Sequence, residues 1–63
     1  SWEWMYNKNY QCPKCSNTAV VGLYMDDWNR REYHVLSGDA DTTIRSTQIV
    51  CKKCKSIMQL ENG

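Results

Sequence analysis

The chain has 63 residues, of which 41% are hydrophobic, 24% are charged and 11% are aromatic, and phenylalanine is absent. We expect one domain spanning residues 1–63, because a chain this short cannot build two cores, and domains below about 70–80 residues usually need a disulfide or a metal ion to be stable. The formal net charge of +1 at pH 7 excludes a strongly basic protein that binds nucleic acid by overall charge. The sequence contains no apolar run long enough for a secretory signal or a transmembrane helix.

The first part of the chain predicts two strands. Residues 1–10 are rich in aromatic side chains and are expected to form a lead-in strand or a linker, with a strand over residues 2–11. Near-alternation places these aromatic residues on one sheet face: Trp2, Trp4, Tyr6 and Tyr10. That face is expected to cover the core, with a docking surface as the alternative. Residues 18–25, rich in β-branched and aromatic residues, predict the next strand.

The remainder of the chain predicts short strands separated by turns. Residues 26–29 contain two acids and an asparagine, which favour a turn, and residues 33–36 predict a third strand. Residues 37–41 predict a loop, and the Thr-, Ile- and Val-rich segment 42–50 predicts one continuous strand. Residues 56–60 predict a short edge strand. Because no segment keeps a helical period, the sequence predicts a small all-β fold with three to five short antiparallel strands.

Two Cys-x-x-Cys pairs, separated by 35 residues, give the strongest chemical signal. Each pair places two thiolates on one side of a tight turn, and two facing turns form a closed tetrahedral site of the kind that structural zinc occupies. The predicted ligands of one structural Zn²⁺ are Cys12, Cys15, Cys51 and Cys54. Disulfides would leave awkward tight loops, and an iron site of rubredoxin type is expected in a more acidic chain. His34 is a further candidate ligand, but it lies mid-strand and four sulfurs already fill the site.

The metal site changes the charge balance and the expected chemistry. Four thiolates and one Zn²⁺ together carry a charge of about −2, which the lysines beside the cysteines (Lys14, Lys52, Lys53 and Lys55) can offset, although these lysines can also contact phosphates. With no open coordination position for an activated water, the chain is not expected to be an enzyme. Reduced thiolates predict an intracellular location, in the cytoplasm or nucleus, away from membranes.

The order of these segments resembles the zinc ribbons of the transcription machinery. It is most similar to the C-terminal ribbon of transcription elongation (transcript-cleavage) factors and to related RNA polymerase subunits. The resemblance is carried by Cys12-Pro13-Lys14-Cys15, Tyr33-His34-Val35-Leu36, Ser37-Gly38-Asp39-Ala40-Asp41, Thr42-Thr43 and Cys51-Lys52-Lys53-Cys54.

Three departures from that family stand out. The family's adjacent acidic pair is replaced by Asp39 and Asp41, the segment between the cysteine pairs is longer, and Lys55 stands where glycine is expected. The resemblance implies a two-knuckle zinc ribbon that acts in transcription or replication. In that family the acidic pair helps to place a catalytic metal in a polymerase active site. The resemblance therefore implies this role for Asp39 and Asp41. The alternative is that both residues only favour a turn.

Aromatic and cationic residues predict a nucleic-acid surface. An aromatic residue beside two arginines in segment 28–31 suits stacking on a base and contact with phosphate. The candidate nucleic-acid-binding residues are Trp28, Arg30, Arg31, Tyr33, Arg45, Lys52 and Lys53. The predicted partner is nucleic acid, including single strands, or a polymerase-type complex, and the isolated domain is expected to be monomeric. The alternative is a protein-interaction or structural module of a larger protein, which a net charge near zero and the aromatic segment 1–10 also suit.

Overall fold

Six antiparallel strands make up the regular structure of residues 1–45 and 47–61, which are the residues that the computed structural model describes. They are β1 (Glu3–Gln11), β2 (Thr18–Met25), β3 (Arg31–Gly38), β4 (Ala40–Thr42), β5 (Ile49–Cys51) and β6 (Gln59–Leu60). One sheet has the order β3-β2-β1-β6, and β4 pairs with β5 in a second sheet. The predicted all-β class is confirmed, and the architecture is compatible with a zinc ribbon, but the described residues form six strands and not the three to five expected, because segment 40–51 forms a separate short hairpin.

The long strands follow the sequence pattern closely. β2 has the predicted bounds, and β1 occupies residues 3–11 of the predicted 2–11. β3 is longer than predicted and runs to Gly38, so the expected loop over residues 37–41 is wrong and only Asp39 separates β3 from β4. Gly38 permits this sharp change of direction because it adopts a φ of 97° while it pairs with Ala19.

The predicted continuous strand over residues 42–50 is also wrong, because this segment folds back as the β4–β5 hairpin. The backbone N–H of Thr43 donates to the carbonyl of Gln48 at 3.0 Å, and the hydroxyl of Thr43 accepts hydrogen bonds from the N–H groups of Thr47 and Gln48. Threonine favours strands, but its hydroxyl also competes for backbone groups in turns, and here the turn prevails. Ser46, which the predicted strand included, lies outside the described residues.

The β4–β5 hairpin covers part of one face of the larger sheet, which we call the inner face. Along β2 this face carries Ala19, Val21 and Leu23, whose exposed fractions are 3%, 2% and 3%. The buried cluster consists of Cys12, Ala19, Val21, Ala40, Ile49, Cys51 and Met58. Ala19 and Val21 belong to this cluster and Leu23 does not, so the hairpin covers only the half of the inner face nearest the cysteines.

A bulge in β1 separates the aromatic residues that alternation assigned to one face. The pairing register shifts between Trp4 and Tyr6: Trp4 lies opposite Tyr24, whereas Tyr6 lies opposite Leu23. Tyr24 and Leu23 point to opposite sides of the sheet, so Trp4 lies on the outer face and Tyr6 on the inner face. The single aromatic face predicted from the sequence is therefore wrong.

Candidate metal centre

The four cysteine side chains converge on one point at one end of the sheet. Their sulfur atoms all lie within 4.8 Å of one another, with Cys12 Sγ 3.1 Å from Cys54 Sγ and Cys15 Sγ 3.7 Å from Cys51 Sγ. A tetrahedral site with metal–sulfur bonds of about 2.3 Å places its sulfurs about 3.8 Å apart. All four are free thiols. The cysteines are therefore positioned to bind one metal ion.

Both Cys-x-x-Cys turns have the same backbone closure. The N–H of Cys12 donates to the carbonyl of Asn17, and the N–H of Cys51 donates to the carbonyl of Ser56, each at 2.9 Å. The first turn joins β1 to β2, and the second joins β5 to the segment that leads into β6. The sequence folds locally in this way because each turn lies inside an antiparallel hairpin, which holds the two sulfurs of a pair on one side.

Asn17 is a site residue that the sequence reasoning missed. Its side-chain N–H₂ group donates to the carbonyl of Asp39 at 2.8 Å and to Cys51 Sγ at 3.3 Å. One amide thus connects the first cysteine turn with the β3–β4 junction and with a sulfur of the second turn. The sequence shows an amide side chain two residues after Cys15. It does not show which groups this amide contacts, because Asp39 and Cys51 are distant from it in the chain.

The surroundings of the thiols affect their ionisation unequally. The hydrogen bond from the Asn17 side chain, with further bonds from the backbone of Cys54 and Lys53, outweighs burial and lowers the pKa of Cys51 to about 6. The backbone N–H of Asn17 lowers the pKa of Cys15, but burial and the three neighbouring thiols outweigh it and raise that pKa to about 11. Fixed donors therefore stabilise the Cys51 thiolate, whereas full ionisation of the cluster needs a bound cation.

His34 lies apart from this cluster, on the outer face of β3. Its Nε2 is 3.0 Å from a carboxylate oxygen of Glu32, and its ring packs edge-on against Tyr24 with 4.9 Å between centroids. His34 therefore does not belong to the cluster of metal-ligating side chains, which consists of the four cysteines.

The predicted nucleic-acid-binding residues fall in separate places. Arg31 lies at the far end of β3, which spans about 23 Å at about 3.3 Å per residue. Lys52 and Lys53 lie in the second cysteine turn, where the N–H of Lys52 bonds to the carbonyl of Asp39, just beyond the other end of β3. Arg45 lies in the turn of the β4–β5 hairpin. The structure therefore does not bring the basic candidates together on one face.

Trp28 and Arg30 lie in the turn between β2 and β3, which we call the tip. The Arg30 guanidinium lies near two indole rings, 5.9 Å from the centroid of Trp2 and 5.5 Å from that of Trp28. The Asp26 carboxylate pairs with this guanidinium and accepts hydrogen bonds from the N–H groups of Trp28 and Arg30 at 3.0 and 2.8 Å. Trp28 remains 75% exposed. The tip is thus an ordered turn that presents an indole and a cation to solvent.

The ionisation of Asp26 follows from these contacts. Burial by itself would raise the pKa of Asp26, but the hydrogen bonds from the backbone and guanidinium of Arg30, the N–H of Trp28 and the charge of Arg30 outweigh it and hold the pKa below its usual value. The carboxylate therefore stays ionised at neutral pH and fixes Arg30 against the two indoles.

Asp39 and Asp41 lie near the metal centre rather than at the turn of the β4–β5 hairpin. The carbonyl of Asp39 accepts hydrogen bonds from Lys52 and Asn17, and the carboxylate of Asp41 lies 3.7 Å from Lys52 Nζ. The exposed hairpin turn instead presents Ile44, which is fully exposed, and Arg45. Asp39 and Asp41 therefore lie beside the second cysteine turn and not in the turn of the β4–β5 hairpin.

Comparison with protein-family models, curated proteins and solved structures finds no match to this chain. The resemblance to the transcript-cleavage factors therefore stays a prediction from the sequence, whereas the all-β fold and the four-cysteine cluster stand on the structure. Among the described residues, no helix has the length and apolar character needed to cross a membrane.

Proposed function

We propose that the protein is a structural zinc module that binds single-stranded nucleic acid, or a complex that processes nucleic acid, in transcription or replication. Its metal centre holds the fold together and takes no part in a reaction. The surface that meets nucleic acid lies away from the metal, at the tip.

The donor set supports zinc as the metal. Four thiolates at tetrahedral spacing favour zinc, and they leave no position for a reactive water. Structural zinc contributes apparent binding free energies of roughly 10–16 kcal/mol in domains of this kind, so removal of the metal is expected to unfold the chain. Metal analysis of the purified protein should give one zinc per chain and no iron, and a red, iron-containing protein would contradict the proposal.

One observation carries the nucleic-acid part of the proposal: the exposed indole of Trp28 lies beside the Arg30 guanidinium, whose position Asp26 and Trp2 fix. An aromatic face next to an ordered cation suits a nucleobase stacked on the ring and a phosphate beside the guanidinium. Because a Trp–Arg stack of this kind is already ordered, less entropy is lost when the ligand binds.

Titration of the zinc-loaded protein with a fluorescent single-stranded oligonucleotide, at low and at moderate salt, tests this function. We expect salt-dependent binding that Trp28→Ala weakens about 5- to 100-fold, since stacking contributes about 1–3 kcal/mol per base. Trp4→Ala is the matched control, because Trp4 is an exposed tryptophan of the outer face. Absence of binding to single-stranded and duplex nucleic acid at every salt concentration would eliminate direct contact.

The charge of the tip favours a second candidate, a protein-interaction module. Four carboxylates lie at this end of the sheet against two guanidinium groups: Glu3, Asp26, Asp27 and Glu32 against Arg30 and Arg31. A basic partner protein with an apolar patch would complement this surface. Binding to a purified polymerase-type complex that survives nuclease treatment, without binding to free oligonucleotide, would support this candidate over the first.

A further inference from the structure

A cavity of about 120 Å³ lies on the inner face, where the half covered by the hairpin meets the other half. Its floor is formed by Val21 and Leu23, which are 2% and 3% exposed. Its walls come from three strands and are mainly aromatic: Tyr6, Lys8, Tyr10, Tyr33 and Leu60. Leu23 is buried but lies outside the cluster beneath the β4–β5 hairpin, so the side chains of the cavity walls, and not the hairpin, cover it.

The size of the cavity matches one aromatic ring. A cavity of about 150 Å³ with apolar walls accommodates benzene. The present cavity is slightly smaller and open on one side, so one six-membered ring fits inside it, whereas a fused pair of rings would extend out of it. Tyrosine walls suit such a guest because their faces stack on a ring and their hydroxyls hydrogen-bond to its edge.

Cations lie on both sides of the aromatic row that crosses the inner face. In this row Tyr6, Leu23 and Tyr33 lie opposite one another on β1, β2 and β3. Lys8 belongs to the next row toward the cysteines, where its ammonium lies 5.3 Å from the centroid of the Tyr6 ring. Arg31 belongs to the next row toward the tip, where it pairs with Met25, which also pairs with Glu3 of β1.

We propose that this cavity binds one unpaired pyrimidine base of a single strand, with Lys8 and Arg31 contacting the phosphates on either side of it. A base in a nucleic-acid strand has a phosphate on both sides, and this arrangement matches a ring-sized cavity between two cations. In a peptide, by contrast, an aromatic residue has an anionic group on both sides only where acidic residues flank it. The ring volume favours a pyrimidine over a purine. This inference rests on the proposed function and adds a second contact site and a base preference.

The ionisation of Tyr10 is consistent with a role in recognising the base. Burial, with smaller effects of Tyr33 and Tyr6, raises the pKa of Tyr10. Its hydroxyl therefore stays protonated at neutral pH and can donate a hydrogen bond to a pyrimidine carbonyl oxygen.

Fluorescence anisotropy with the full zinc-loaded chain and short oligo-dT and oligo-dA probes tests the proposal. We expect oligo-dT to bind more tightly than oligo-dA, and Tyr6→Leu to weaken oligo-dT binding about 5- to 100-fold. The matched control is Tyr24→Leu, which removes a tyrosine from the opposite face of the same sheet. Lys8→Gln is expected to lower the slope of log affinity against log salt by about 0.7, the value for one phosphate contact on a single strand.

The outcomes separate this inference from the proposed function. If the unaltered protein binds neither probe, the cavity proposal and direct contact with single strands both fail. If it binds oligo-dT and Trp28→Ala weakens the complex, but Tyr6→Leu behaves like Tyr24→Leu, only the cavity proposal is overturned. Equal affinity for oligo-dA and oligo-dT overturns the pyrimidine preference, and binding of a Glu-Phe-Glu peptide in place of either oligonucleotide assigns the cavity to a protein partner. Circular dichroism of each variant confirms that the sheet is retained.

Discussion

Substitution of Asn17 by alanine should weaken metal binding without removing a ligand. The side chain of Asn17 donates one hydrogen bond to the carbonyl of Asp39 at 2.8 Å and one to Cys51 Sγ at 3.3 Å, and alanine can make neither. The first bond stabilises the closure of the β3–β4 junction against the first cysteine turn, and the second stabilises the thiolate form of a ligand. Loss of an outer-shell partner of a metal ligand typically reduces metal affinity about 10- to 100-fold, and we expect Asn17→Ala to fall in this range.

Competition between the protein and a zinc chelator of known affinity measures this effect. Tryptophan fluorescence reports the folded, metal-bound fraction at each chelator concentration, and the apparent zinc dissociation constant follows. The control is Asn9→Ala, which makes the same change at an exposed position of β1. An Asn17→Ala affinity within about twofold of the Asn9→Ala value would show that the amide does not support the site, and the reasoning from its two hydrogen bonds would be wrong.

Three further predictions concern stability, measured by urea denaturation of the zinc-loaded chain. Gly38→Ala should lower the free energy of unfolding by about 1–3 kcal/mol or more. The reason is that Gly38 has a φ of 97° and that an added Cβ would lie 2.4 Å from a backbone oxygen. The control is Gly22→Ala, where the nearest atoms to an added Cβ belong to side chains and lie 3.2 Å or more away. Lys55→Gly should raise the free energy of unfolding by about 1 kcal/mol, because Lys55 adopts a φ of 63° that glycine tolerates better. An unchanged free energy of unfolding would contradict this prediction. Asp26→Asn should lower the urea midpoint at pH 7, and the difference from the unaltered chain should shrink as pH falls below about 4, because a carboxyl whose pKa is depressed in the folded state stabilises it only while ionised. The control is Asp27→Asn, which makes the same change at an exposed carboxylate of the neighbouring residue.

The parts of the fold that the sequence predicts correctly are those that depend on local pattern. The strand over residues 18–25 follows from its β-branched and aromatic residues, and the cysteine spacing by itself requires two facing turns. The hairpin at Thr43 was missed because its β-branched residues signal strand, whereas the side chain of Thr43 satisfies turn N–H groups. The bulge between Trp4 and Tyr6 has no comparable local signal, yet it reverses the face of every aromatic residue beyond it.

In the candidate site, too, the sequence predicts the residues set by local spacing and not those set by tertiary contacts. The four ligands were predicted from spacing alone, and the structure brings them together. Asn17 could not be identified because its partners, Asp39 and Cys51, are 22 and 34 residues away in the chain. The tyrosines of the cavity come from β1 and β3, and only the pairing register places them around Leu23. Residues that act through tertiary contacts are therefore the ones that the sequence pattern leaves undetermined.

The length of the β4–β5 hairpin, which the metal centre holds in place, determines how much of the inner face is left for the proposed binding surface. The cysteines hold β5 beside the first turn, and β4 and β5 have only three residues each, so the hairpin covers Ala19 and Val21 and stops short of Leu23. The same face continues along longer strands, which leaves Leu23 beneath the tyrosines with room for a ring. A longer hairpin would cover this cavity and add apolar burial to the core. A metal ion bound by the four cysteines would supply stability that such a core would otherwise provide, so a chain of 63 residues could fold with the proposed binding surface left free.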